Sequence, residues 1–148
     1  MNKRLNFRNK SIQIITFRLS LLLFVTSLTQ ECFCTLGNNC DSGGYILLLI
    51  GWMGVFMLHL PAMAWLANPA LLFSWIFMNK KSKTSLALSI ISLLLMLSFL
   101  LFDKIINNEA GVPEKITSIK LGYWLWVSSA FIMVLGNALL FYKKKKEV

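Results

Sequence analysis

Long apolar runs alternate with short polar or charged segments along this chain. The first run covers residues 12–30, behind a basic N-terminal segment at residues 1–11. Further runs occupy 45–78, 86–102 and 121–142, and a basic tail closes the chain at 143–148. As helices, the 17 residues of 86–102 extend about 25 Å and the 22 residues of 121–142 about 33 Å, against a hydrocarbon core of roughly 30 Å. The pattern predicts an all-α integral membrane protein with one transmembrane domain over 12–142. Its four transmembrane helices would include a second that is long and broken near Pro61 or Asn68-Pro69. The first run reads as an uncleaved helix beginning near Ile12, because Val25-Thr26-Ser27 is a poor small-residue cleavage site and Glu31, directly before Cys32, spoils a lipoprotein signal.

The run at 45–78 sets the puzzle. Its 34 residues would make about 51 Å of helix, too long for one crossing, whereas three crossings need roughly 60 residues. A single crossing with spare length follows. Proline removes a helix bond and pushes its predecessor out of the α region, so breaks are expected at Leu60-Pro61 or Asn68-Pro69. Asn68 is placed to N-cap a new helix with Pro69 at its first position. Two layouts satisfy this: an in-plane or re-entrant half near the outer leaflet followed by the span, or the span first and an interfacial helix after it. Trp75 and the apolar run leading directly into Lys80 favour the former.

Composition agrees with a bilayer setting: 57% of residues are hydrophobic and 14% charged, where soluble domains average about a quarter charged. The net charge of +9 would suggest nucleic acid on a soluble face. Here the basic residues are instead split among the ends of apolar runs, at Lys3, Arg4, Arg8 and Lys10, at Lys80, Lys81 and Lys83, and at Lys143 to Lys146. Segments 1–18, 79–84 and 143–148 together carry +11, and the intervening loops −2. Positive-inside bias then places both termini in the cytoplasm of a multi-pass bacterial inner-membrane protein. Arg18 is expected to snorkel to the cytoplasmic headgroups. Tyr123, Trp124 and Trp126 at one end of the last run, and Tyr142 at the other, fit an aromatic belt.

Candidate chemistry is sparse. Cys32, Cys34 and Cys40 share a polar loop on the oxidising side, which predicts one disulfide, Cys34 with Cys40 or Cys32 with Cys40, and one remaining thiol. Disulfide-generating four-helix membrane proteins use a Cys-x-x-Cys and a second cysteine pair, and this chain has neither. Met53, Met57, His59 and Met63 match soft-ligand chemistry for Cu(I), yet methionine is also a common filler of apolar packing. His59 is expected to bond a carbonyl freed at Pro61. No Asp or Glu lies within an apolar run, which disfavours proton-coupled transport and intramembrane hydrolysis. Glu109, Gly111, Glu114 and Thr117 lie in the loop 103–120, where two carboxylates without a cleft read as solvated or partner-binding. Gly51 with Gly54, and Ser85, Ser89 and Ser92 at helical spacing, mark close helix–helix faces, and Asn137 reads as an interhelical hydrogen-bonding residue. His59, Pro61, Asn68 and Pro69 form the candidate polar break inside the membrane.

Gly51-Trp52-x-Gly54, Trp65-Leu66-Ala67-Asn68-Pro69, Asn108-Glu109-x-Gly111 and Leu121-Gly122-Tyr123-Trp124-Leu125-Trp126 resemble the pattern of small uncharacterised bacterial four-helix membrane proteins. The resemblance covers roughly residues 30–140 and implies no activity. A non-enzymatic binding protein is therefore expected, either an accessory subunit or an immunity-like protector. Its partners would be the lipid bilayer and another membrane protein or a second copy, with no cofactor and no nucleic acid. The alternatives are a transporter or channel component using the broken second helix and, behind it, a membrane thiol oxidoreductase.

Overall fold

A computed structural model describes residues 2–36, 40, 43–106 and 111–146. Asp41, Asn107, Asn108, Glu109, Ala110 and Glu147, which entered the loop and charge readings above, lie outside the described residues. The chain is mostly helical. Helix α1 covers Asn2–Leu28, α2 Gly44–Phe56, α3 Ala67–Phe77, α4 Ser82–Ser98 and α5 Leu121–Lys146. A 3-10 segment at Leu60–Leu66 runs directly into α3, and a shorter one at Phe99–Leu101 ends α4. Four stretches are long and apolar enough to cross a membrane: Asn9–Leu28, Leu60–Phe77, Ser82–Leu101 and Leu121–Lys143. Helix α2 is too short to join them.

The long helices pack in the order α1, α5, α4, α3. Small residues set the contacts. A Cβ added at Gly136 of α5 would land on the Thr16 side chain of α1, so those two helices touch backbone to side chain. The interior is polar and small: Thr16, Ser20, Ser74, Ser85, Ser89, Ser92, Ser129 and Asn137 are buried, together with Ala67, Ala130, Met96 and Met133. The outward faces carry the large apolar side chains, among them Ile15, Leu22, Leu49, Leu94 and Leu139. This reverses the arrangement of an amphipathic helix on a water-soluble domain, whose apolar stripe faces inward.

Sequence pattern missed one component. The all-α expectation holds for the bundle, but a three-stranded antiparallel sheet joins the two polar loops at one end of it. Strand β1 covers Phe33–Thr35, β2 Lys104–Ile106 and β3 Pro113–Ile119, in the spatial order β1-β3-β2. Phe33 pairs with Ile119 and Cys34 with Ser118, then the register slips before Thr35 meets Ile116. Lys104 pairs with Lys115 and Ile106 with Pro113, whose missing N–H is tolerated at the first position of a strand. We call this the sheet end, and the opposite end, where residues 78–81 connect α3 to α4, the tail end.

Helix boundaries also differ from those read in the sequence. The first helix reaches back to Asn2 rather than starting near Ile12, and α5 continues through Lys146 into the basic tail. The break in the second run lies before Pro61. Residues Gly54 to His59 close α2 with a Schellman motif: the His59 N–H donates to the Gly54 carbonyl and the Leu58 N–H to that of Val55, both at 3.0 Å. Leu58 occupies the left-handed position at φ 54°, where glycine is usual. Pro61 then sits in the first turn of the 3-10 segment. Asn68-Pro69 makes no break. The pair falls in the first turn of α3, where a backbone N–H has no intrahelical partner to lose, and Asn68 forms no cap.

Candidate functional site

The sheet, the α2 hairpin and the upper bundle enclose a half-open cavity of about 1010 Å³. Its first wall is the hairpin formed when the chain turns at Leu58. Gly51 and Gly54 of α2 face Trp65 and Ala62, and an added Cβ at either glycine would collide with those side chains. The Trp65 indole N–H donates to the Leu48 carbonyl at 2.9 Å, locking the 3-10 segment onto α2. The two glycines therefore pack within the hairpin itself.

A second wall comes from the end of α1. Gly44 lies against the Ser27 carbonyl, and its N–H donates to Gln30 O at 3.0 Å, so the start of α2 is tied to the chain leaving α1. Gly122 approaches Glu31 equally closely and donates to its carbonyl at 2.8 Å. An aromatic group forms the roof: Phe33 of β1 meets Phe99 at 5.5 Å between ring centroids, and Phe99 meets Tyr123 at 5.7 Å. The Tyr123 hydroxyl donates to the Met96 carbonyl at 2.9 Å. Ile105 of β2 closes the sheet side.

Within these walls the polar groups are few and mostly engaged. The Trp126 indole donates to Asn68 Oδ1 at 2.9 Å, so Asn68 joins α3 to α5. His59 borders the cavity, half-buried, and its ring forms no hydrogen bond among the described residues, so the expected carbonyl partner is not there. Met53 and Met57 border the same space but are largely exposed, and Met63 does not line it. Three of the four soft ligands read in sequence thus border one space, and Met63 lies outside its lining. Pro61 contributes apolar lining; Pro69 does not reach the cavity.

Among the cysteines, Cys34 and Cys40 form the disulfide, with Cα atoms 4.2 Å apart, which removes the Cys32–Cys40 alternative. Glu31 lies beside that bridge, its carboxylate within 4.8 Å of both sulfurs. Bridged sulfurs supply no thiolate, the form that binds metal. Cys32 is free, buried at the cavity edge, and burial pushes its thiol up to about 11. At neutral pH it is protonated and a poor nucleophile.

Toward the tail end a buried hydrogen-bond network joins three helices, and Asn137 is its hub. Asn137 Nδ2 lies 3.4 Å from the Ser74 and Ser89 hydroxyls, and Ser85 Oγ lies 3.1 Å from Asn137 Oδ1. Ser74 and Ser85 reach one another's backbone carbonyls at 2.9 and 2.7 Å. Ser92 donates to Ala67 O at 2.9 Å. Every serine of the Ser85, Ser89, Ser92 stripe therefore points inward, as the spacing predicts, and Asn137 bonds across helices. Sequence reasoning missed the partner Ser74, because a lone serine in an apolar run carries no periodic signal.

The comparisons add no relative: no family model, curated protein or solved structure matches the chain.

Proposed function

We infer that this chain is a non-enzymatic, four-span membrane protein of the bacterial inner membrane that binds an apolar, lipid-sized molecule at its sheet end. The observation that carries the reading is the cavity of about 1010 Å³ beneath the sheet. Its size is at the top of the roughly 300–1,000 Å³ range of small-molecule sites, and apolar side chains dominate its lining. The exterior of large apolar side chains over an interior of serines supports burial in lipid, because interhelical hydrogen bonds and small residues hold helices together where no hydrophobic force between them exists. The charge asymmetry of +11 against −2 supports cytoplasmic termini, with the sheet and its disulfide on the oxidising side. Accessory and immunity-like roles both amount to holding such a molecule, or denying it to a partner.

Among the described residues, the cavity lining pairs no general acid with a general base, and the Cys32 thiol is protonated. Native mass spectrometry after reconstitution in mixed lipids tests the binding reading. One retained apolar adduct is expected, and Ile105→Trp, which pushes a bulkier ring into the lining, weakens it while a size-neutral Ile105→Leu keeps it. An adduct indifferent to both substitutions sinks the proposal. Fusion of periplasm-active and cytoplasm-active reporters to each terminus checks the orientation.

A second reading, a transport component, draws on the interrupted helix at the cavity wall, since discontinuous helices form midplane sites in transporters. It requires His59→Ala or Asn68→Ala to lower a measured flux, and unchanged flux in both variants removes it.

A further inference from the structure

A second groove, of about 660 Å³, opens at the tail end between α1 and α3. These two helices are not packed along their length; Trp75 bridges them. Its indole N–H donates to Ser20 Oγ at 3.0 Å, and Ser20 in turn donates to the Ser129 carbonyl of α5 at 2.8 Å. Phe17 and Phe24 stand edge-on to the same ring, with centroids at 6.0 and 5.5 Å. The bridge leaves the helices apart below it, and the gap is the groove.

The lining is ordered along the bundle axis. Phe17, Leu72 and Trp75 line it farthest from the tail end. Lys10, Gln13 and Asn79 all lie toward the tail end: α1 starts there and α3 finishes there. From Lys10 to Phe17 is about 10 Å along the helix. Polar and cationic groups at the mouth with an apolar slot behind match the order of headgroup and acyl chain in a phospholipid. The charge is one-sided as well: exposed Lys80, Lys81 and Lys83 follow Asn79, and the sequence has no Asp or Glu before Glu31 or between Asp41 and Asp103.

We propose that this groove is a site for one acidic phospholipid of the tail-end leaflet, its phosphate at Lys10 and one acyl chain against Phe17 and Trp75. The site is separate from the sheet-end cavity and rests only on the four-span membrane reading. A basic side chain at the membrane surface favours an acidic lipid by about fivefold. Annular lipid around an ordinary helix would show no such preference tied to one lysine.

The test uses the full chain in vesicles in which either phosphatidylglycerol or phosphatidylcholine carries brominated acyl chains. Brominated chains quench nearby tryptophan fluorescence, and the contribution of Trp75 is the difference between the wild type and Trp75→Phe. Brominated phosphatidylglycerol is expected to quench Trp75 at about one-fifth the mole fraction that brominated phosphatidylcholine needs. Lys10→Gln should lower that preference several-fold, leaving only what Lys80, Lys81 and Lys83 give the surrounding lipid, and Lys104→Gln at the sheet end should keep it. Equal quenching by the two lipids, or a preference that Lys10→Gln leaves unchanged, overturns the proposal. No quenching by either lipid overturns the membrane reading instead. Should Trp75→Phe fail to fold, adduct counts of the two lipids on the wild type and Lys10→Gln give the same ratio by native mass spectrometry.

Discussion

The contact between α1 and α5 at Gly136 gives a sharp test of the packing. An ideal Cβ at that position lies 2.7 Å from Thr16 Cβ and closer still to both Thr16 branch atoms. Carbon atoms pack best at roughly 3.5–4.0 Å, so Gly136→Ala must push the helices apart by about 1 Å or drive Thr16 out of its rotamer. A change of rotamer alone does not clear the contact, because rotation about χ1 leaves Thr16 Cβ in place at 2.7 Å. Overpacking of this kind costs about 1–3 kcal/mol, and contact with three atoms puts the cost near the top of that range. Alanine returns roughly 0.5–1 kcal/mol of helix propensity over glycine. The expected net loss is about 2 kcal/mol, measured by equilibrium unfolding from mild detergent into a denaturing one. Thr16→Gly in the same chain removes all three colliding atoms, so the double variant should recover most of the loss. Thr16→Ala, which keeps the Cβ at 2.7 Å, should recover only part. A Gly136→Ala variant as stable as the wild type, or one that Thr16→Gly does not rescue, would refute the close approach.

Three further outcomes follow from the same fold. Leu58→Gly should stabilise the chain by about 1 kcal/mol in the same unfolding measurement, since it removes the left-handed strain at φ 54° from a side chain that is 76% exposed. Cys32 should resist iodoacetamide at pH 8. Its thiol keeps its proton to about 11 in the folded chain, against 9.0 when unfolded, so its contribution is complete below pH 9 and is lost as pH rises toward 11. The difference from Cys32→Ala across that window should reach about 2–3 kcal/mol. Asn137→Leu should cost only about 1 kcal/mol, because Ser74, Ser85 and Ser89 each retain a backbone acceptor when the amide is removed. A loss above about 3 kcal/mol would mean that the amide, rather than the serine–carbonyl pairs, holds the network together.

Run length and apolar periodicity alone determined the number of long helices, because a span needs a countable number of apolar residues whatever surrounds it. They also marked the serine stripe and Asn137 as inward, since polar atoms among apolar neighbours must find partners. Cysteine arithmetic narrowed the bridge to two pairings, and the fold chose between them by bringing the Cys34 and Cys40 Cα atoms to 4.2 Å. Sequence placed the break at the prolines, where local chemistry is loudest. The chain turns earlier, at a Schellman cap with leucine in the glycine position, so the strain at Leu58 is balanced by contacts between the two halves of the hairpin. Asn68 was singled out as a cap and is instead a hydrogen-bond acceptor for Trp126, 58 residues away. The sheet was not legible because β1 and β2 have only three residues each, too few to show alternation, and both exist through pairing with β3. The two cavities belong wholly to the tertiary structure: each is a space between segments distant in the chain, and its shape depends on where Trp65 and Trp75 bridge the helices.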